Sequence, residues 1–216
     1  MHALRRLSLL FFLVVLSAGS AHAQSPAAVP PPLFATFTFA DNKPVRTFVT
    51  DPETVLILLD IAAGRRKDGI PNGMILDDRP GKSPYDPGWS WHFRPETVKM
   101  AEVTIEVCDA TPTYIEEHME EWFRGEKEAR WCGWSARLIK LEPLKYGDVD
   151  FDGNVTVADA VAVLRWAVAP APLNEAEVIA GDVAPLSPTG GRPGDGVLNV
   201  GDAILILRRA LGLEDF

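Results

Sequence analysis

The 216-residue chain is short of several things, and each shortage excludes something. Positive charge is scarce: 21 Lys and Arg stand against 30 Asp and Glu, for a formal net charge of −9. A nucleic-acid backbone requires clustered cations, so nucleic acid is not an expected partner, whereas an acidic chain suits metal cations. Beyond the N-terminus no apolar run reaches the roughly twenty residues of a membrane span, since even Val155 to Ala171 carries Asp159 and Arg165. Histidine is rare too, only His92 and His118 lying beyond residue 23. The cysteines number two, Cys108 and Cys132. In an exported chain an even pair is expected as a disulfide, with two buried free thiols as the alternative, and spacing alone does not choose between them.

What is present begins with an address. Met1 to Arg6 is basic, Leu7 to Leu16 is apolar, and Ser17 to Ala23 is small and polar with Ala21 and Ala23 before Gln24. That pattern predicts a secretory signal peptide over residues 1–23 and a secreted, extracellular or cell-surface product; an uncleaved anchor is the alternative. Removing it takes away Arg5 and Arg6 but no carboxylate, so the mature chain is more acidic still. Residues 24–32, QSPAAVPPP, predict a disordered or extended leader.

Residues 33–145 hold most of the aromatic side chains and both cysteines, enough chain for one core. Leu33 to Ala40 alternates with period two, predicting a strand with one buried face, continued by Val45 to Val49 after a turn at Asp41-Asn42. A helix is expected from Pro52, capped by Asp51 and ended by Gly64, with Arg65, Arg66 and Lys67 complementing its negative end. Further strands are expected over Gly73–Leu76, Trp89–Phe93, Glu102–Cys108 and Trp134–Leu141, and a second helix between Thr111 and Gly125. The expected class is α+β, a mainly antiparallel sheet of about five strands with two helices.

From Tyr146 the composition shifts to Gly, Asp, Val and Ala, and the sequence repeats itself. Asp152 to Val168 aligns without a gap on Asp195 to Leu211. Each unit predicts a carboxylate-rich loop followed by an amphipathic helix, with Val161, Leu164 and Val168, or Ile204, Leu207 and Leu211, on one face. Such short helices need a partner surface, each other or something else. In the first loop Asp148, Asp150, Asp152 and Asp159 occupy positions one, three, five and twelve of an EF-hand pattern, with Gly153 at the sharp turn and Thr156 at position nine. Alternate positions then aim oxygens inward at a Ca²⁺, the Asn154 carbonyl supplying position seven. The second loop starts at Asp182 but has Ala184 at position three and an insertion from Pro185 to Gly194. Its later half returns to register with Asp195, Gly196, Val197, Asn199 and Asp202, so calcium is expected there too, held by fewer acids, with a loop held shut by packing and hydrogen bonds alone as the alternative.

GDVDFDGNVTVADAVAVLR and GDGVLNVGDAILILRR, each without the helix that precedes an ordinary EF-hand loop, resemble type I dockerins. The resemblance implies a small all-α calcium-dependent domain over residues 146–216 that docks onto a cohesin domain through its repeat helices. Val157-Ala158 and Val200-Gly201 replace the hydroxyl pair common in cellulosomal dockerins, while Arg165, Arg208 and Arg209 keep the basic positions. Such a module also serves as a calcium-stabilised cap on its own protein.

The first domain presents no known catalytic motif. Ser90 lacks a nucleophile elbow, and His118-Met-Glu-Glu-Trp is not a zinc signature. Glu116, Glu117, Glu120 and Glu121 are expected to form a solvated face; Glu106 with Asp109 is the one conceivable hydrolytic pair. Trp89, Trp91, Trp131 and Trp134 are expected in the core or a domain contact before a carbohydrate platform. The string WSWHF, EVTIEVCD, PTYIEEH and WCGWSAR is similar to a domain at the N-terminus of an amoebal calmodulin-binding protein and in many secreted bacterial proteins. That resemblance covers roughly Phe34 to Leu141 and implies that Cys108 and Cys132 belong to the domain's own framework. The combined expectation is a secreted calcium-binding protein whose repeat module attaches it to a partner or caps its first domain. An extracellular polysaccharide hydrolase and a structural surface component are the rivals.

Overall fold

A computed structural model describes residues 29–104, 106–187 and 193–216; the expected signal peptide lies outside them. Strands β1 (Leu33–Thr38) and β2 (Pro44–Val49) form an antiparallel hairpin, and β7 (Arg137–Pro143) pairs with the other edge of β1. Asn42, at φ +57°, makes the turn, where the Asp41 carboxylate accepts from the Lys43 amide. Helix α1 (Pro52–Ala62) starts as its sequence dictates, Asp51 accepting from the Thr54 amide at 2.9 Å.

The expected single sheet is two. The second is built on β3 (Ile70–Asp77): β4 (Trp91–Phe93) and β5 (Lys99–Ala101) share one edge, and β6 (Glu128–Cys132) takes the other. The expected strand over 102–108 is corrected. Ladder pairing ends at Ala101, Val103 and Val107 are exposed, and Glu106–Cys108 is a 3₁₀ turn. The expected single helix is α2 (Pro112–Glu117) and α3 (Met119–Phe123), separated at His118, whose φ of −123° and ψ of 31° are not helical. Thr111 caps α2 as expected, and Cys108 and Cys132 form a disulfide.

Both sheets and these helices enclose one aromatic core. Trp131 lies at its centre, stacked on Phe93 at 5.0 Å, edge-on to Trp91 at 5.0 Å and tilted against Phe39 at 5.1 Å. A second core covers the opposite face of β1 and β2. Phe34, Phe48 and Tyr85 pack there with Val149, Ala160, Val163, Ile179 and Ile206. Those last residues belong to the chain's final third, with helices α4 (Val157–Val168), α5 (Glu175–Gly181) and α6 (Val200–Ala210).

This second core overturns the expectation of a separate all-α dockerin-like domain. The described molecule is an α+β fold with two antiparallel sheets and six α-helices, and its last three helices complete the core under β1 and β2. Phe34 touches Phe48 at 4.9 Å, Tyr85 at 5.6 Å and Phe151 at 5.2 Å, so an aromatic from the first repeat loop sits among aromatics of the first half. Burying each such ring contributes on the order of 2 kcal/mol to joining the two parts. β1 therefore has two buried faces, not the expected one.

The expected contact face of the repeat helices is also corrected. Val161, Leu164, Val168, Ile204, Leu207 and Leu211 are exposed, while Ala160 and Val163 of α4 and Ala203 and Ile206 of α6 are buried. Helices α4 and α6 pack against each other, and their buried face carries Val163 and Ile206 beside the small Ala160 and Ala203.

Candidate metal centre

The loop before α4 begins where Gly147, at φ +90°, donates its amide to the Ala180 carbonyl. Asp148, Asp150 and Asp152 bring one carboxylate oxygen each within 4.8 Å of one another. Backbone amides hold them there: Gly153 donates to Asp148 at 3.0 Å, Asp152 to Asp150 at 3.1 Å and Asn154 to Asp152 at 2.7 Å. Gly153, at φ +93°, makes the sharp turn that brings its amide back to Asp148.

Asp148 is 5% exposed, and its Oδ1 is buried without a hydrogen-bond partner. Burial, reinforced by the charges of Asp159, Asp150 and Asp152 and opposed by the Gly153 amide, pushes its carboxyl up to about 6. An unsatisfied buried carboxylate oxygen costs on the order of 1–3 kcal/mol, and a cation beside it removes both that cost and the like-charge repulsion. The donors are all hard oxygens, the chemistry Ca²⁺ selects. The residues present therefore fit the group.

The other expected ligands of this loop play closing roles. Asp159 is buried, with Oδ1 accepting from the Val149 amide at 2.9 Å and Oδ2 from the Thr156 amide at 2.8 Å. Thr156 donates its hydroxyl to Asp159 and accepts from the Ala158 amide, which makes the capping box that starts α4. Sequence reasoning missed Lys145, whose ammonium donates to the Gly153 carbonyl, and Phe151, which ties the loop to Phe34. An aromatic at position four, between the carboxylates of Asp150 and Asp152, was the available signal.

The second loop closes in the same geometry with different donors. Asp182 is buried and folds back, accepting from the amides of Asp195 at 3.0 Å and Gly196 at 2.7 Å, one on each oxygen. Gly194 has φ +94°, and a Cβ there would lie 2.4 Å from the Asp182 carboxylate. Asp202, fully buried, accepts from the amides of Val183, Ala184 and Asn199 at 2.8, 2.7 and 2.8 Å. Asn199 caps α6 by accepting from Gly201 at 2.7 Å; Asp195 accepts from Val197 at 3.0 Å.

Elsewhere, Ser90, Lys82 and Glu116 form a hydrogen-bonded knot. Ser90 donates its hydroxyl to Glu116 at 2.8 Å and its amide at 2.9 Å, and Lys82 reaches both side chains. Burial pushes Glu116 up, but these donors together hold its carboxyl below the usual range. Glu116 thus leaves the expected solvated face, while Glu117, Glu120 and Glu121 remain exposed. His92, also buried, pairs with Asp78 at 2.7 Å. The side chain of Glu106, expected as the partner of Asp109, lies outside what is described. Of the four tryptophans, Trp89, Trp91 and Trp131 are core residues and Trp134 is exposed.

Two sheets over a tryptophan-centred core, stapled by one disulfide, define the class of the first half. Residues 34–145 match the family model of the BP-74 N-terminal domain, more than half of the chain, and the chain belongs to that family. No curated protein and no solved structure matches it. No described helix is long and apolar enough to cross a membrane.

Proposed function

We propose that this is a secreted calcium-binding protein in which one Ca²⁺, held by Asp148, Asp150 and Asp152 with Asp159 closing the loop, locks the last three helices as a cap over the β1–β2 face of the family domain. The observation that carries this is the buried, unpartnered Oδ1 of Asp148 facing two further carboxylates. When bound, the ion supplies charge neutralisation and additional ligand bonds. The chain's own residues do the rest: the Gly153 amide orients Asp148, Asp159 anchors the start of α4, and Phe151 couples the loop to Phe34. In the second loop amides reach both oxygens of Asp182 and of Asp202, which lowers its demand for an ion relative to the first. The N-terminal address sequence supports export, a setting in which calcium is abundant and a disulfide persists.

The test is calorimetric titration of Ca²⁺ into the metal-stripped full chain, beside its thermal transition. One site, abolished in Asp148→Asn and kept in Asp195→Asn, with a melting temperature raised by calcium, is the expected result. Absence of any calcium-dependent shift in the transition would sink the proposal.

Attachment to a cohesin-like partner is favoured by one separate observation, the exposed apolar residues Val161, Leu164, Ile204 and Leu207 on adjoining helices. Leu164→Glu with Ile204→Glu leaves the fold intact and removes capture of such a partner if that surface is the one used.

A further inference from the structure

The disulfide does more than close a loop. It places Asp109, the residue after Cys108, beside the turn after Cys132, and a parallel bridge joins Asp109 to Cys132 directly. That turn is tight: Ala136 donates to the Gly133 carbonyl, and Gly133 donates to Pro71. Gly133 is required there, because a Cβ would meet the Phe39 ring at 2.5 Å. The turn therefore projects Trp134 and Ser135 away from the core.

Between the two walls lies a cleft of about 400 Å³, lined by Asp109, Thr111, Tyr114, Trp134 and Ser135. Trp134 is 38% exposed and Tyr114 42% exposed, while the other tryptophans of this half are buried or half-buried. Tyr114 is buttressed, stacked on His118 at 4.1 Å and edge-on to Trp122 at 6.4 Å. The hydroxyl oxygens of Thr111 and Ser135 accept from the amides of Tyr114 and Ala40, which leaves their protons to be donated elsewhere.

Two partly exposed aromatic rings, that of Tyr114 buttressed, beside hydroxyls and a carboxylate match one ligand chemistry well. A pyranose offers apolar C–H faces for the rings and hydroxyl edges for the polar groups. The only charged lining residue is acidic, which disfavours uronates and sulfated sugars. The volume falls within the range of small-molecule sites, enough for one or two sugar units. The geometry points to a neutral oligosaccharide site between Tyr114 and Trp134, pre-organised by the Cys108–Cys132 disulfide. The site stands on the first half alone and does not rest on calcium.

The experiment is isothermal titration of the full chain with neutral tetrasaccharides of glucose, xylose, mannose and N-acetylglucosamine, with an oligogalacturonate as the charged control, in calcium and in chelator. Binding of at least one neutral sugar is expected, weakened about tenfold or more by Trp134→Ala and by Tyr114→Ala, with unchanged melting temperatures. Failure of all four neutral sugars at millimolar concentration overturns the assignment. So does binding that is indifferent to Trp134→Ala, or equal affinity for the galacturonate. If Trp134→Ala lowers the melting temperature, Trp134→Phe, which keeps a ring, separates the cases: sugar affinity retained in Phe but lost in Ala supports the site, and affinity lost in neither overturns it.

Discussion

The two repeat loops share one closing geometry and differ in how fully amide donors satisfy it. In both, the first aspartate accepts from the amide of a glycine past the turn, Gly153 or Gly196, and the last aspartate accepts from the amide after the first, Val149 or Val183. In the first loop this leaves a buried oxygen without a donor and three carboxylates crowded together. In the second, Ala184 stands at the third position in place of an acid, and the insertion that follows delivers the Asp195 amide to the other oxygen of Asp182. The same closing geometry can thus have both oxygens of its first aspartate met by amides, at the cost of a less permissive backbone.

The sharpest way to break the comparison is Asp202→Ala. It strands three buried amide donors and should cost about 4 kcal/mol whether or not calcium is present, read as the shift of the urea midpoint in chelator and in calcium. Asp148→Asn should do the reverse, leaving the metal-free protein no less stable and erasing the calcium response. For the unaltered chain that response reaches about 2.7 kcal/mol when calcium stands a hundredfold above Kd.

Glycine substitutions sharpen the contrast further. Gly194→Ala should cost about 3 kcal/mol, because its Cβ collides with Asp182 in addition to the left-handed backbone, whereas Gly153→Ala meets nothing within 4 Å and should cost about 1 kcal/mol. Thermal melts of the two variants side by side decide this. The last contrast is one of pH. The Asp148 carboxyl of the metal-free fold sits near 6, above its ordinary value near 3.8, so the folded chain holds a proton that the unfolded chain has lost between those values. Stability of the metal-free protein should therefore fall as pH rises from about 4 to 6, and the fall should vanish in Asp148→Asn.

Much of the first half was legible from local chemistry. Asp51-Pro52 and Thr111-Pro112 start helices because their side chains satisfy orphan amides, whatever the rest of the chain does. The repeat register and the three converging aspartates were equally local. Glu102 to Cys108 misled because alternating apolar residues imitate a strand, yet among the described residues the pairing of β5 with β3 stops at Ala101. β5 and β6 were invisible for the opposite reason: Lys99–Ala101 and Glu128–Cys132 are short and pattern poorly, and pairing with β3 alone makes them strands. The apolar stripe on α4 and α6 pointed to the wrong face, since both faces carry β-branched apolar residues, Val161 and Ile204 on the exposed one and Val163 and Ile206 on the buried one. That β1 is covered on both sides depends on residues more than a hundred positions away, which no local pattern carries.

The double covering of β1 bears on how this chain can be divided. The family match ends at residue 145, which invites cutting there as though the halves were beads on a string. A fragment ending at 145 would carry Phe34, Phe48 and Tyr85 bare on one side, a greasy wound in a position where most modular proteins have a washable seam. For recombination, tagging or transplantation the indivisible unit runs from the first strand to the last helix. Foreign cargo belongs before residue 33 or after Phe216.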